Sequence, residues 1–357
     1  MPRAAIVGGG LAGFVAFLTL RRNGVEDVTV FAPEADPAAA WRRRAAAIRQ
    51  THMRSESDGH CLPTSFPGLA VRDARARRSL VPLARSVCNR YHPTVDDFLA
   101  HVEEQRAASG WDDQLVPRRI ESVRAVAGGF ELDHQGVFEH VLLATGHPGL
   151  AVPDDLRNDA RVVHSYEPHE YAESVCVVGA GLAAATEWRN ALDAGARVIS
   201  VRRREPLRRP LNVPRPYLSR RGLASFHRAT SDHRVATLRE VLAPSYPAGR
   251  EWDAPLGSGR FSVEPRVNGA DQVICATGFT PGYEADPLLR KLVAEHGLET
   301  ADRWIVLAPD STVPGLTDAS RTLAVAGVAG QWAYPAADTL IGARYAAHGF
   351  VSRCRTR

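Results

Sequence analysis

The chain repeats one pattern twice: an apolar strand, a glycine turn, a helix and a second strand. In the first copy, the run Ala4–Val7 is followed by Gly8-x-Gly10-x-x-Gly13, a helical stretch and the apolar run Val28–Phe31. The first glycine permits a tight turn, the second lets the backbone approach a pyrophosphate, and the third lets helix and strand pack closely. The amides at the helix N-terminus attract the anion. This copy therefore predicts a dinucleotide-binding β-α-β unit.

The second copy begins near the middle of the chain. The strand Ser174–Val178 is followed by Gly179-x-Gly181-x-x-Ala184 and, after a helix, by the strand Arg197–Val201. Alanine is an accepted third residue of this motif. Two such units suggest two different cofactors, FAD, which stays bound, and NADPH, which delivers hydride.

The residues that follow the second strand of each copy help to assign the cofactors. An acid at this place favours NAD, whereas guanidinium groups bind a 2′-phosphate in a bidentate manner. The second copy has Arg202, Arg203 and Arg204 there, so we expect it to bind NADPH; a solvated basic loop is the alternative. The first copy has Ala32, and Glu34 is its candidate for the ribose hydroxyls.

Composition argues against several other classes of protein. The formal charge is only +4, and the basic residues are scattered among acids, so no nucleic-acid surface is expected. The five cysteines form no C-x-x-C pair and the 13 histidines show no ligand spacing, so we predict neither a dithiol centre nor a metal site. The apolar run at residues 11–20 is about half a membrane span and follows a glycine turn. We expect a cytoplasmic enzyme without a membrane partner.

Two further apolar segments end in the same triplet, at residues 144–146 and 276–278 (Ala-Thr-Gly). Together with the two glycine loops, they resemble the flavoproteins in which such strands link an FAD domain to an NADPH domain. The resemblance implies an α/β fold of two Rossmann-like dinucleotide-binding domains, with the NADPH domain inserted into the FAD domain. The expected division is 1–165 for the first part of the FAD domain, 166–270 for the NADPH domain with an Arg/Pro-rich insertion, and 271–357 for the return segment.

Within that superfamily the chain resembles the class B flavin-containing and N-hydroxylating monooxygenases. The segment RVVHSYEPHEY is similar to part of F-x-G-x-x-x-H-x-x-x-[YFW], with His164 at the histidine. The other signature positions hold Asn158, Ala160 and Pro168. The segment DQVICATGF is similar to D-x-x-x-x-A-T-G-[YF], with Asp271 and Phe279 in place. The disulfide reductases of the same superfamily need a cysteine pair, which this sequence lacks.

The resemblance also implies the site residues. The segment YPAADTLIGARYAA is similar to one in which D-[ST]-L-L begins a helix beside the flavin, whereas the Gly-Asp pair of the wider superfamily is here Gly327-Val328. Expected cofactor contacts, besides the motif glycines and the residues above, are Leu11, Ala12, Trp41, Thr145, Gly146, Leu182, Thr277, Gly278, Gly327, Asp338, Thr339 and Leu340. The loop that runs along the flavin edge supplies the candidate catalytic residues, which are His52, Met53 and Ser55.

The chemistry implied by the resemblance is NADPH-dependent monooxygenation of a small metabolite. NADPH would reduce FAD, and reduced FAD would react with O2 to form a C4a-hydroperoxide, which the site must shield from water. The N-hydroxylase-like segment favours an amine nitrogen as the acceptor. Two alternatives stay open, an FAD/NADPH oxidoreductase without oxygen insertion and a non-catalytic dinucleotide sensor. The substrate, the oligomeric state and the role of the Arg/Pro-rich segment 202–261 are not predicted.

Overall fold

The computed structural model describes residues 3–54, 68–88 and 91–355. Its strands are β1 (Ala4–Val7), β2 (Val28–Phe31), β3 (Leu115–Val116), β4 (Val123–Val126), β5 (Gly129–Leu132), β6 (Val137–Phe138), β7 (His140–Leu143), β8 (Val162–His164), β9 (Ser174–Val178), β10 (Arg197–Val201), β11 (Leu207–Arg208), β12 (Ser245–Tyr246), β13 (Phe261–Glu264), β14 (Gln272–Cys275), β15 (Thr300–Ala301), β16 (Trp304–Ile305) and β17 (Thr322–Val325).

The α-helices are interspersed with these strands. They are α1 (Leu11–Arg22), α2 (Ala39–Ala47), α3 (Leu69–Arg77), α4 (Val81–Val87), α5 (Val95–Ser109), α6 (Leu182–Asp193), α7 (Arg220–Arg228), α8 (Ser231–Val241), α9 (Arg250–Asp253), α10 (Pro287–His296) and α11 (Leu340–Cys354).

Two parallel five-stranded sheets organise the described part of the chain. The first has the order β17-β7-β1-β2-β3 and the second has the order β13-β10-β9-β14-β8. Each predicted β-α-β unit forms the centre of one sheet, with β1 and β2 in the first and β9 and β10 in the second. The predicted α/β fold of two Rossmann-like domains is confirmed.

The pairing of the strands indicates where the domain boundaries lie. Strand β8 precedes the predicted boundary at 165 and β14 follows the one at 270, yet both strands pair in the second sheet. The segments 149–151 and 278–280, here called the linkers, pair with each other outside both sheets. Ala151 N donates to Gly278 O at 3.0 Å, and Thr280 N donates to Gly149 O at 2.9 Å. We therefore propose that the domain boundaries lie in these linkers, near residues 149–151 and 278–280.

Helix α1 lies in the middle of the first domain's core. All residues from 13 to 20 are buried, because the helix packs on the sheet and is covered by α11. Trp111 packs edge-on against Phe14 and Phe17, with ring centroids 5.1 and 5.3 Å away, and its indole donates to Ala35 O at 2.9 Å. This packing fixes the start of α1 relative to the glycine loop.

Residues 205–260, here called the insertion, connect β10 to β13. They form two short helices, α7 and α8, in place of the long helix that the prolines disfavour. The apolar side chains of both helices belong to the same core cluster as Trp332 and Tyr334 of the first domain. The insertion therefore bridges the two domains.

Candidate functional site

The first glycine loop has the backbone geometry that its motif predicts. Gly8 has a φ of +112°, and a Cβ there would lie 2.1 Å from the carbonyl oxygen of Ala144. A Cβ on Gly13 would lie 1.9 Å from Gly8 O, whereas Gly10 faces open space. Since no side chain caps the N-terminus of α1, its amides are available to a ligand.

Residues of two other segments surround this loop. Gly146 and Gly327 have φ values of +79° and +72°, and a Cβ on Gly327 would lie 3.4 Å from the Ala12 side chain. The hydroxyl of Thr145 is buried and has no hydrogen-bond partner in the described part of the chain. A buried polar atom without a partner is uncommon, so this hydroxyl is suited to contact a ligand. The loop and its surroundings fit a pyrophosphate-containing group such as FAD.

The second glycine loop repeats this geometry in the second domain. Gly179 has a φ of +143°, and a Cβ there would lie 2.4 Å from Ala276 O. Gly181 is open, with only Pro244 Cβ near, at 3.9 Å, and no side chain caps α6. Leu182 lines the adjacent cleft, whereas Ala184 is completely buried and belongs to the core of the domain.

The three arginines after β10 line the same cleft as this loop. Arg202 is largely buried, with a side chain only 9% exposed, and one of its nitrogens pairs with Glu205 at 3.0 Å. Its Nε and Nη1 atoms are buried and have no partner among the described residues. Arg203 and Arg204 are exposed. Two unpartnered donors beside a glycine loop fit a phosphate group.

A cleft of about 1770 Å³ joins these features. Both Ala-Thr-Gly turns contribute to its wall, through Gly146 on one side and Thr277 and Gly278 on the other. The C-terminal part of the first domain contributes Val328 and Asp338. The cleft therefore reaches from the second glycine loop to the segments that surround the first.

An aromatic stack holds the two linkers together. His147 stacks on Phe279 with ring centroids 3.8 Å apart, and Tyr166 stacks on Phe279 at 5.2 Å. The Arg44 guanidinium lies 4.5 Å from the Phe279 ring. Burial, and secondarily Arg44, lowers the pKa of His147 to about 4. The sequence analysis missed His147 and Tyr166, although the position of His147 directly after the first triplet was a usable signal.

His164 positions one of these linkers. Its Nε2 donates to Gly278 O at 3.0 Å, and its Nδ1 accepts from the Tyr166 amide at 3.1 Å. Burial lowers the pKa of His164, so the ring is neutral. Because both ring nitrogens are occupied, the structure favours a positioning role for this signature histidine.

Two of the predicted FAD contacts have other partners. The Glu34 carboxylate accepts two hydrogen bonds of 3.0 Å from Arg43 on the surface. Trp41 packs edge-on against Phe98, with ring centroids 5.3 Å apart, beside the core of the first domain. Both geometries favour structural roles, and neither side chain supports the predicted cofactor contact.

The candidate catalytic residues are placed as follows. His52 forms a backbone bridge to Thr94, and its Nδ1 lies 3.0 Å from Thr51 Oγ1. Met53 is buried in the core of the first domain, which favours a packing role. Ser55 lies outside the described residues. The geometry does not single out any of the three as a catalytic group.

The segment before α11 is where the expected D-[ST]-L motif lies. Asp338 lines the cleft and is accessible from it, while the surrounding protein raises the pKa of its carboxyl group to about 6 by burial. Thr339 caps α11 by accepting from the Gly342 amide at 3.1 Å, and Leu340 is buried. Asn212 of the insertion donates to Asp338 Oδ1 at 3.2 Å, a contact that sequence spacing could not predict.

Clustered metal ligands and membrane-spanning helices are both absent from the described residues. Within the described ranges, no group of three or more His, Cys, Asp or Glu side chains is placed to hold a metal ion. No helix there is both long enough and apolar enough to cross a membrane.

Comparison with known proteins gives matches to solved structures only. No protein-family model matches the chain, and no curated protein matches it at a significant level. An ornithine N-hydroxylase from Kutzneria sp. 744 is 16% identical with a TM-score of 0.73, and the match covers 99% of this chain and 98% of that one. An ornithine hydroxylase from Pseudomonas aeruginosa is 15% identical with a TM-score of 0.67, over 99% and 100% of the two chains. A bacillithiol disulfide reductase from Bacillus cereus is 14% identical with a TM-score of 0.60, over 99% of both chains. The chain therefore has the two-domain fold that these hydroxylases and this reductase share.

Proposed function

We propose that the protein is an FAD- and NADPH-dependent monooxygenase that hydroxylates an amine nitrogen of a small metabolite. The observation that carries the proposal is that one cleft joins the second glycine loop to the segments that flank the first. The second glycine loop and its arginines line this cleft, and the residues around the first loop continue into its wall.

The first domain offers the contacts for FAD. Gly8, Gly10 and Gly13 form the turn that admits a pyrophosphate, and Thr145 offers a buried hydroxyl. Gly327 lets the backbone turn beside the loop. When bound, FAD supplies two-electron chemistry between a hydride donor and O2.

The second domain offers the contacts for NADPH. Gly179 and Gly181 admit its pyrophosphate, and the free Nε and Nη1 of Arg202 are suited to its 2′-phosphate. Hydride transfer requires the two cofactors to be held in one relative position. The paired linkers and the stack on Phe279 supply that rigidity.

The likeness to ornithine hydroxylases supports an amine as the oxygen acceptor. The N-hydroxylase-like segment that ends at Phe279 supports the same reading, because Phe279 is part of the cleft wall. This chemistry needs no protein nucleophile, only a closed and water-poor site. The protein's residues therefore act by binding, orienting and excluding water.

A reductase that inserts no oxygen is the second candidate, and the likeness to the bacillithiol disulfide reductase favours it. Cys176 and Cys275 lie on adjacent strands, but both are completely buried, and burial raises the pKa of each thiol to about 11. A thiolate is the reactive form, so these two cysteines are poorly suited to redox exchange. Cys61 lies outside the described residues.

The experiment measures NADPH consumption and the incorporation of oxygen into an amine in the same reaction. The purified protein is expected to be yellow and to oxidise NADPH, and in 18O2 a suitable amine should gain one 18O atom per NADPH consumed. If every amine leaves all the electrons in hydrogen peroxide, oxygen insertion is contradicted and the reductase remains. A protein that neither contains nor takes up FAD would contradict both enzymatic candidates.

A further inference from the structure

We propose that the Asp338 carboxylate binds a positively charged amine group of the substrate, at an end of the cleft that the first domain and the insertion build together. This inference rests on the proposed function and names the substrate class for the same site. It assigns to Asp338 a contact with substrate in place of the predicted contact with FAD.

Asp338 is placed where it can contact a substrate in the cleft. The residue directly precedes the Thr339 cap of α11, so its backbone is fixed by a helix start in the first domain. Its side chain lies in the cleft wall and is accessible from the cleft. One carboxylate oxygen accepts a hydrogen bond of 3.2 Å from Asn212, which orients the group.

Arg54, the nearby cation, attracts the Asp338 carboxylate electrostatically but donates its hydrogen bonds to other residues. Arg54 donates to the carbonyl oxygens of Ser245, Arg209 and Leu211 at 2.8, 2.8 and 3.1 Å, and to Ser245 Oγ at 2.9 Å. It makes no ion pair with Asp338 in the described part of the chain. A carboxylate has about four acceptor positions, and the bonds from Asn212 and from the backbone amide of Asp338 leave other positions open to the cleft.

The other acids of the cleft wall differ from Asp338. Asp286 accepts from the Leu288 and Leu289 amides as the cap of α10. Asp154 and Asp159 pair with arginines at 2.8 and 2.6 Å. Asp155 is exposed on the second domain and serves as a control.

The chemistry of the ligand follows from this environment. A carboxylate in a cleft wall whose hydrogen-bond donors among the described residues are neutral attracts a cation, because the attraction between opposite charges is stronger beside protein than in bulk water. An ammonium group offers three donors to such an acceptor. An anionic group would be repelled, and a hydroxyl would supply only one neutral hydrogen bond. The cleft is therefore cationic where Arg202 lies and anionic at Asp338, which suits a phosphate-bearing cofactor and an amine substrate.

The experiment is calorimetric titration of the FAD-loaded protein with amines and their uncharged counterparts at pH 7.5. The probes are 1,4-diaminobutane and L-ornithine, with 1,4-butanediol as the neutral control. We expect Asp338→Asn to weaken amine binding about tenfold, as the loss of a charge-assisted hydrogen bond implies. Diol binding should change less than twofold. Asp338→Glu should retain part of the amine affinity, and Asp155→Asn should retain all of it.

A second variant, at Asn212, tests the proposal even if the substitution of Asp338 disturbs folding. Asn212→Ala leaves the carboxylate in place but removes its orienting donor, so amine affinity should fall severalfold while FAD content and the visible flavin spectrum stay unchanged. The proposal is overturned if the wild-type protein binds no amine more tightly than the diol, or if Asp338→Asn alters FAD affinity and leaves amine binding intact. Incorporation of 18O into an amine in step with NADPH oxidation would still support the proposed function in either case.

Discussion

At the scale of single residues, the site is marked by polar groups whose bonding capacity is not filled. The Thr145 hydroxyl and two nitrogens of Arg202 are buried without partners among the described residues. Leaving a buried donor unsatisfied costs about 1–3 kcal/mol, so such groups are kept where a ligand completes them. Glu34, the candidate ligand of the ribose hydroxyls, instead accepts two hydrogen bonds from Arg43 at the surface. Thr145 and Arg202 are therefore candidate ligand contacts because they combine free donors with positions beside the glycine loops, whereas Glu34 has a protein partner.

The 2′-phosphate assignment gives the first prediction. Replacing Arg202 and Arg203 together by alanine should raise the KM for NADPH about tenfold or more, because charge-assisted hydrogen bonds to the phosphate are lost. The KM for NADH, which lacks that phosphate, should change less than twofold in steady-state assays. Arg197→Ala, at the opposite end of the same strand, is the matched control. Equal effects on both cofactors would contradict the assignment.

The Asp338 carboxyl group gives a prediction about stability and pH. Burial raises its folded-state pKa to about 6, with Arg54 and the hydrogen bond from Asn212 acting in the opposite direction. Between about pH 3.9, the pKa of an aspartate in an unfolded chain, and about pH 6, the folded chain keeps a proton that the unfolded chain releases. The contribution of this group to the free energy of unfolding therefore falls as the pH rises through this range. Asp338→Asn should therefore unfold at a higher urea concentration than wild type at pH 8 and at the same concentration at pH 4. A variant that is less stable at pH 8 would contradict the shift.

At the scale of elements, the sequence predicted what local chemistry determines. Glycine loops, the strands beside them and the helices that follow are encoded within short segments, because local steric contacts such as Gly13 against the Gly8 carbonyl permit only glycine. Contacts such as Asn212 to Asp338 and His147 to Phe279 join segments distant in the chain, so no spacing rule reveals them. The packing of Met53 and Trp41 against the core was not predictable for a related reason, since a loop position in the sequence does not show which side chains the core will bury.

The start of α11 gives the third prediction. A Cβ on Gly342 would lie 2.2 Å from Ala336 O and 2.4 Å from Ala337 Cα, both of them backbone atoms. Helix propensity alone predicts that Gly342→Ala stabilises the protein by about 1 kcal/mol. The steric conflict predicts the opposite sign, a loss of about 1–3 kcal/mol. Urea denaturation decides between them, with Gly257→Ala as control because no atom lies within 4 Å of that site.

At the scale of the whole molecule, the insertion decides how the two domains are held. Among the described residues, its contacts with the first domain include several hydrogen bonds besides the one to Asp338. Arg54 donates into it, His227 Nε2 donates to Ala333 O at 2.6 Å, and Arg234 donates to Trp332 O while its guanidinium lies 4.0 Å from the Trp332 ring. The Arg/Pro-rich stretch is thus a packed bridge in this structure. Arg54 and Arg234 satisfy backbone carbonyl groups across this interface.

The last prediction tests this bridge. Arg54→Met keeps the length of the side chain but removes four donated hydrogen bonds, three of them to carbonyl oxygens that would be left without these donors. We expect amide hydrogen exchange in residues 205–249, measured by mass spectrometry, to accelerate at least tenfold. The reason is that the free energy of local opening falls by roughly the energy of one or two charge-assisted hydrogen bonds. Exchange in β1, β7 and β9 should stay as in wild type. Arg49→Met, which breaks an exposed pair with Glu170, is the matched control and should leave the insertion protected. Acceleration spread evenly over both sheets, or none in the insertion, would show that Arg54 does not hold the bridge in place.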